Sequence, residues 1–211
     1  MRILFQGDSI TDTVRTHIES TWSDAQAPLG VGYPLSVCEE LFNENPFKYD
    51  IINKACSGNR IIELYGRVKR DIINLKPDVL SILIGVNDAW RELDENNGTN
   101  PNRFFEIYQM MIEDILNALP DVKILLLEPF INMGCETKER FSEFRNEVVL
   151  RAKETEKIAT KFNLIFVPLQ DAFDKAESIA PSNVWTIDGV HPTMYGHQII
   201  KREWMKFFRV L

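Results

Sequence analysis

Three features of the sequence predict an α/β fold built on a five-stranded parallel sheet. Short apolar, β-branched runs alternate with longer segments of helical period. Two of the runs, "VLSILI" and "VKILLL", are almost continuously apolar, as central strands covered on both faces must be. The helical segments are punctuated at their starts, by Asn100-Pro101 and by His191-Pro192, where a cap residue precedes a first-turn proline.

In chain order, the first strand is Ile3-Leu4-Phe5, followed by "GDSIT". The stretch from Asp12 to Gly32 is irregular and longer than an ordinary connection, the kind of loop that is often functional. A helix is predicted at about 34–45, a strand over Tyr49 to Asn53, and a helix at about 60–75. The most basic stretch, Arg67 to Arg70, falls in that helix and is expected on its solvated face. A strand over Val79 to Ile84 leads into "GVNDAW", with a loop expected over Arg91 to Asn100. A helix at 101–119, a strand over Val122 to Leu127 and a helix at 137–162 follow. The last strand, Leu164 to Val167, passes through a short amphipathic segment to "WTIDGVHP" and a helix at 193–208. There Ile200, Trp204 and Phe208 recur every four residues, a stripe that should lie on the sheet.

The 211 residues fit one domain, residues 1–211, able to bury roughly 70% of the unfolded surface. A net charge of −7 with no basic patch argues against a nucleic-acid partner. The three cysteines, Cys38, Cys56 and Cys135, form no C-x-x-C pair, so neither a disulfide framework nor a metal site is expected. No apolar run approaches the roughly 18 residues of a membrane span, and the apolar stretch near Met1 is too short for a signal peptide. A cytoplasmic protein without a membrane partner is expected. Asn97-Gly98-Thr99 reads as a Gly-containing loop.

In an open parallel sheet, ligands bind outside the carboxyl ends of the strands. Ser9 follows the first strand, Ser57-Gly58-Asn59 the second, Asn87-Asp88 the third and Glu128-Pro129 the fourth. Ser9, Asp188 and His191 form a nucleophile set. A carboxylate three residues before an imidazole can hold its Nδ1 and leave Nε2 free to take a serine proton. The N–H groups of Ser9 and Gly58 and the side-chain amide of Asn87 are candidate donors to a developing oxyanion. His17 and His197 are expected to be structural. Each fragment alone has a plainer reading as a cap or a turn; their joint occurrence on one rim carries the functional one.

The blocks "GDSIT", "SGN", "GVND" and "DGVH" resemble the four ordered blocks of the SGNH hydrolases, or GDSL family, from Phe5 to about Pro192. The resemblance implies a three-layer α/β/α sandwich of flavodoxin-like type, with Ser9 as nucleophile, Asp188 and His191 completing the triad, and Ser9, Gly58 and Asn87 as the oxyanion hole. It implies no cofactor. Ile10 replaces the leucine of GDSL, and Ala55-Cys56 departs from the usual glycine plus apolar residue, which bears on the backbone path of that loop.

"KPDVLSILIGVNDAWR", "EPF" and "VWTIDGVHPT" are most similar to the compact branch that includes bacterial acetylxylan esterases. A serine esterase removing acetyl groups from a carbohydrate, expected to be a xylo-oligosaccharide, is therefore anticipated. Asp8, Tyr33, Arg60, Trp90 and Trp185 are candidate substrate contacts. The alternatives are a thioesterase or lysophospholipase with the same triad and a non-catalytic carbohydrate-binding protein. A metallophosphoesterase using Asp8, Asp12, Asn87, Asp88 and His191 is disfavoured by the scarcity of histidine. Self-association is compatible with the Asp12–Gly32 and Arg91–Asn100 loops flanking the rim.

Overall fold

The computed structural model describes residues 1–17 and 27–211. Strands β1 (Arg2–Gly7), β2 (Asp50–Asn53), β3 (Val79–Leu83), β4 (Lys123–Leu127) and β5 (Ile165–Val167) form one parallel sheet in the order β2-β1-β3-β4-β5. The helices are α1 (Ser9–Asp12), α2 (Tyr33–Glu44), α3 (Ile61–Gly66), α4 (Val68–Asp71), α5 (Val86–Glu95), α6 (Pro101–Ala118), α7 (Phe141–Lys161), α8 (Gln170–Glu177), α9 (Ser182–Trp185) and α10 (Met194–Phe208).

Alternate strand residues feed two hydrophobic layers, because successive side chains leave a strand on opposite faces. Ile3, Phe5, Leu125 and Leu127 join buried residues of α2, α8 and α10 on one face. Leu4, Leu80, Ile124 and Leu126 join those of α3, α4 and α6 on the other. The stripe Ile200, Trp204 and Phe208 lies buried on the first face, with Trp204 stacked on Phe208 at 4.6 Å. The indole N–H of Trp204 donates to Ser81 Oγ of β3 at 3.1 Å, so the helix is attached to the sheet by a polar contact inside an apolar layer.

Three expectations about elements need correction. The last helix is capped by Thr193, whose hydroxyl accepts the Tyr195 and Gly196 N–H groups, so His191-Pro192 precedes it. The segment expected as one helix at 60–75 breaks into α3, α4 and a 3-10 turn over Ile73–Leu75. The break falls at Arg67, which is not on a solvated face. Its guanidinium turns inward to Gln6 Oε1, the carbonyls of Lys54 and Gly7, and Asn59 Oδ1, whereas Arg70 remains exposed. The stretch expected as a loop over Arg91 to Asn100 is half helix, since α5 continues to Glu95. Polar residues Asn87 and Asp88 are buried in its first turn and mask its apolar face in the sequence. Of the long stretch from Asp12 to Gly32, residues 18–26 lie outside the described residues.

The strand order creates a switch point. The chain leaves β1 to form β2 on one side and returns to form β3 on the other, so the loops after β1 and β3 part above the sheet. Gly7 ends β1 opposite Leu83 of β3 with φ +151°, and a Cβ there would lie 2.2 Å from the Leu83 carbonyl oxygen. Glycine at this position lets the two strand ends close up.

Replacing Ser81 with Ala should cost about 1–3 kcal/mol, because the buried Trp204 N–H is left unpartnered. The double variant Ser81→Ala/Trp204→Phe should lose less in urea unfolding than the sum of the two single variants; strict additivity would mean that the contact contributes nothing.

Candidate active site

Asp8 caps α1, its Oδ1 accepting the Ile10 N–H at 3.0 Å, and so places Ser9 at the first helical position with its side chain half-buried at the rim. Ser9 Oγ lies 2.9 Å from His191 Nε2, although the two residues are 182 positions apart. His191 Nδ1 lies 2.6 Å from Asp188 Oδ2. The other oxygen of Asp188 accepts the N–H groups of Val190 and His191, each at 2.8 Å, which fixes the carboxylate in the plane the imidazole needs. Burial pushes the Asp188 carboxyl up, but the His191 ring and these two N–H groups outweigh it and hold the group at about 2. The hydrogen bond to Asp188 raises the His191 imidazole above its ordinary value despite partial burial. An imidazole held in this way can take a proton from a hydroxyl at Nε2 while its Nδ1–H stays on the carboxylate.

The loop after β2 brings Gly58 to the same cleft. Residues Cys56 to Asn59 form a turn closed by Asn59 N–H to the Cys56 carbonyl at 3.2 Å, with Gly58 at φ +78° in its third position. This is the geometry for which a type II turn selects glycine. Asn87, in the first turn of α5, lines the cleft and donates one N–H of its amide to the Asn59 carbonyl at 3.1 Å; among the described residues no acceptor meets the second. Among the described residues, neither the Ser9 nor the Gly58 backbone N–H donates to a protein acceptor. Ser9, Gly58, Asn87 and His191 share a cleft of about 400 Å³ with Ser57, Trp90, Arg91, Asp94 and Glu95.

The substrate contacts expected from the sequence divide. Trp90 lines the cleft, its ring 6.2 Å from that of His191 and its N–H on Asp94 at 2.7 Å. The other four need correction. Tyr33 is fully buried with its hydroxyl 3.0 Å from Thr11 Oγ1, so it is a core residue. Asp8 is also buried, and desolvation pushes its carboxyl up to about 7 against the pull of the Ile10 N–H; it shapes the turn from below. The Arg60 guanidinium is taken up by Glu63 and Asn97 and lies off the cleft. Trp185 faces a different groove, lined also by Pro168, Lys175 and Arg202, because the short α9 turns its indole N–H to the Ala180 carbonyl.

The carboxylates imagined as metal ligands have other partners: Asp8 holds the Ile10 N–H, Asp12 the Ser57 N–H and Asp88 the Ile61 N–H. Among the described residues, no group of three or more His, Cys, Asp or Glu side chains is arranged to hold a metal. His197 is buried and accepts the Tyr33 N–H at 3.3 Å; burial pushes its imidazole down to about 4, so it is a neutral structural residue at pH 7. His17 leans on Asp12 at the surface.

One part of the site has no local signal in the sequence. The segment after β4 grips the Asp188 loop: Asn132 N–H donates to the Gly189 carbonyl at 2.8 Å and Glu136 N–H to that of Asp188 at 3.1 Å. Gly134 lies so close that a Cβ would sit 2.1 Å from the Asp188 carbonyl carbon.

The GDSL-like lipase/acylhydrolase family matches residues 5–199. An acetylxylan esterase of Geobacillus stearothermophilus is 31% identical over 208 residues, covering 97% of this chain and 92% of that protein. Among solved structures, a protein described as a GDSL-like lipase from Parabacteroides merdae superposes with a TM-score of 0.89 at 34% identity, over 97% of this chain and 94% of the other. A variant of Axe2, an acetylxylan esterase from Geobacillus stearothermophilus, superposes with a TM-score of 0.84 at 28% identity, over 97% and 92% of the two chains. That variant, with alanine for a serine, is described as a catalytic mutant, as is another with alanine for an aspartate.

Substituting Gly134 with Ala should displace the Asp188 loop while the sheet stays intact. The expected outcome is unchanged far-UV circular dichroism with loss of the downfield imidazole N–H proton resonance that a His191–Asp188 hydrogen bond gives; an unperturbed resonance would show that the loop tolerates the methyl group.

Proposed function

The chain belongs to the GDSL-like lipase/acylhydrolase family, and from that premise we propose that it is a serine esterase removing acetyl groups from carbohydrate esters through an acyl-enzyme. The observation that carries the mechanism is the pair of contacts from Ser9 Oγ to His191 Nε2 at 2.9 Å and from His191 Nδ1 to Asp188 at 2.6 Å.

In this reading His191 accepts the Ser9 proton as Oγ attacks the ester carbonyl. The resulting oxyanion is held by the N–H groups of Ser9 and Gly58 and by the Asn87 amide. Collapse of this intermediate expels the alcohol, which leaves with the proton from His191. Water, deprotonated by the same imidazole, then attacks the acyl carbonyl and frees acetate and Ser9. Asp188 stays ionised throughout and stabilises the imidazolium. The two Axe2 variants described as catalytic mutants, one at a serine and one at an aspartate, support these roles for Ser9 and Asp188.

The lining of the cleft of about 400 Å³ and one relative bear on the substrate. The charged lining, Arg91, Asp94 and Glu95, is paired off, Arg91 with Glu95 and Asp94 with Arg140. The 31% identical acetylxylan esterase favours a carbohydrate ester over the lysophospholipid and acyl-thioester readings. Trp90 offers an aromatic face beside His191 for a sugar ring. The xylo-oligosaccharide assignment follows the 31% identical acetylxylan esterase.

Replacing Ser9 with Ala should abolish both turnover of acetylated xylo-oligosaccharides and labelling by a fluorophosphonate. Parent protein that cleaves octanoyl esters faster than acetyl esters would overturn the substrate assignment. In kcat/KM against pH, activity should rise as His191 loses its proton, with a midpoint above the ordinary imidazole value of about 6.5. Replacing Asp188 with Asn removes the charge that stabilises the imidazolium, so that midpoint should move to lower pH while kcat falls.

A further inference from the structure

We propose that Asp12 and Arg15 are positioning residues that hold the Gly58 loop in register with Ser9; the proposal rests on the oxyanion-hole reading above. Neither side chain lines the cleft, yet both are buried and directed at the loop that does.

Asp12 closes α1, three residues after Ser9. Its Oδ2 accepts both the backbone N–H and the hydroxyl of Ser57, each at 2.8 Å. Its Oδ1 accepts the Arg15 N–H at 3.2 Å. Arg15 in turn sends its Nε–H to the Ala55 carbonyl at 2.8 Å. The residues before Gly58 are therefore held at both ends of the Ala55–Ser57 segment by one short stretch of chain that begins at the nucleophile.

This arrangement has two chemical consequences. Both donors of Ser57 are engaged by one carboxylate oxygen, so the Gly58 N–H is left to face the cleft, and the Ser57 hydroxyl, although at the cleft wall, cannot swing in to compete with substrate oxygens. The distance between nucleophile and oxyanion donor is also set within a single helical turn, since Ser9 stands at its start and the anchor at its end. Preorganised donors contribute to catalysis only when already aimed at the place where charge develops. A carboxylate accepting charge-assisted bonds from a backbone and a hydroxyl donor is a strong way to fix that aim.

The test compares Asp12→Ala, Asp12→Asn and Ser57→Ala with the parent, using p-nitrophenyl acetate kinetics and amide hydrogen exchange. In Asp12→Ala, kcat should fall about 10–100-fold, short of the full loss of an oxyanion donor, with KM within about threefold. Asp12→Asn should lie between it and the parent, and Ser57→Ala, which keeps its N–H, should lose no more than about fivefold. Exchange at Ser57 and Asn59, whose N–H groups are bonded in the loop, should accelerate about tenfold or more in both Asp12 variants while β3 amides stay protected. Folded Asp12 variants that retain kcat within about threefold, or that leave exchange at Ser57 and Asn59 unchanged, would overturn the proposal, as would a lowered Tm with parental kinetics. If Asp12→Ala fails to fold, Asp12→Asn carries the same readouts. A parent protein that hydrolyses no ester overturns the esterase reading instead, and the exchange comparison still decides whether Asp12 holds the loop.

Discussion

The pairing of β1 with β3 is the constraint on which the rest of this structure depends. Their register sets Gly7 opposite Leu83, and the missing Cβ lets the two backbones close to a distance that no other residue type permits. Ser9 is two residues beyond one strand end and Asn87 four beyond the other, so the spacing of these polar groups is inherited from the sheet. The crossing of the chain between the two strands leaves a gap above them, and Gly58 enters it from the far side of β1. A rigid, doubly covered sheet thus holds groups that loops alone would place loosely.

What could be read in the sequence was of two kinds. Apolar runs and their alternation with helical periods identify all five strands to within a few residues, because the central strands are buried on both faces and the partly buried edge strands β2 and β5 keep apolar, β-branched residues. The polar blocks after those runs are legible for a related reason: "GDS", "SGN" and "DGVH" interrupt apolar stretches where no turn chemistry alone requires that combination. Side-chain direction was not legible. Tyr33 and Asp8 resemble binding residues by type and neighbourhood, but helix α2 and the cap of α1 turn them into the interior. Trp90 and Trp185 both stand near a block, and only the different paths of α5 and α9 send one to the cleft and the other to a separate groove. The grip of Gly134 on Asp188 was invisible because its partner lies more than fifty residues away.

Buried charge is the second organising feature. Arg67 and Arg151 are both drawn inside, contrary to the usual habit of arginine, and each is met by carbonyls and carboxylates from several elements. Arg67 ties the end of β1 to the loop carrying Gly58 through Gln6, Gly7 and Asn59. Arg151 reaches the Thr99 carbonyl beside buried Asp88, whose carboxyl desolvation pushes up to about 7 against the Thr99 and Ile61 hydrogen bonds. Asn87 therefore stands in front of one such network and Gly58 above another. Removing a member would strand an unmatched charge, which is costlier than the loss of the contact itself.

The separation of 182 residues between Ser9 and His191 has a consequence for biogenesis. A chain emerging from the ribosome presents Ser9 first and acquires His191 only after every strand has been made. The intermediates in between hold the hydroxyl without the imidazole that meets it in the folded protein. That contact therefore waits until the segment preceding α10 docks.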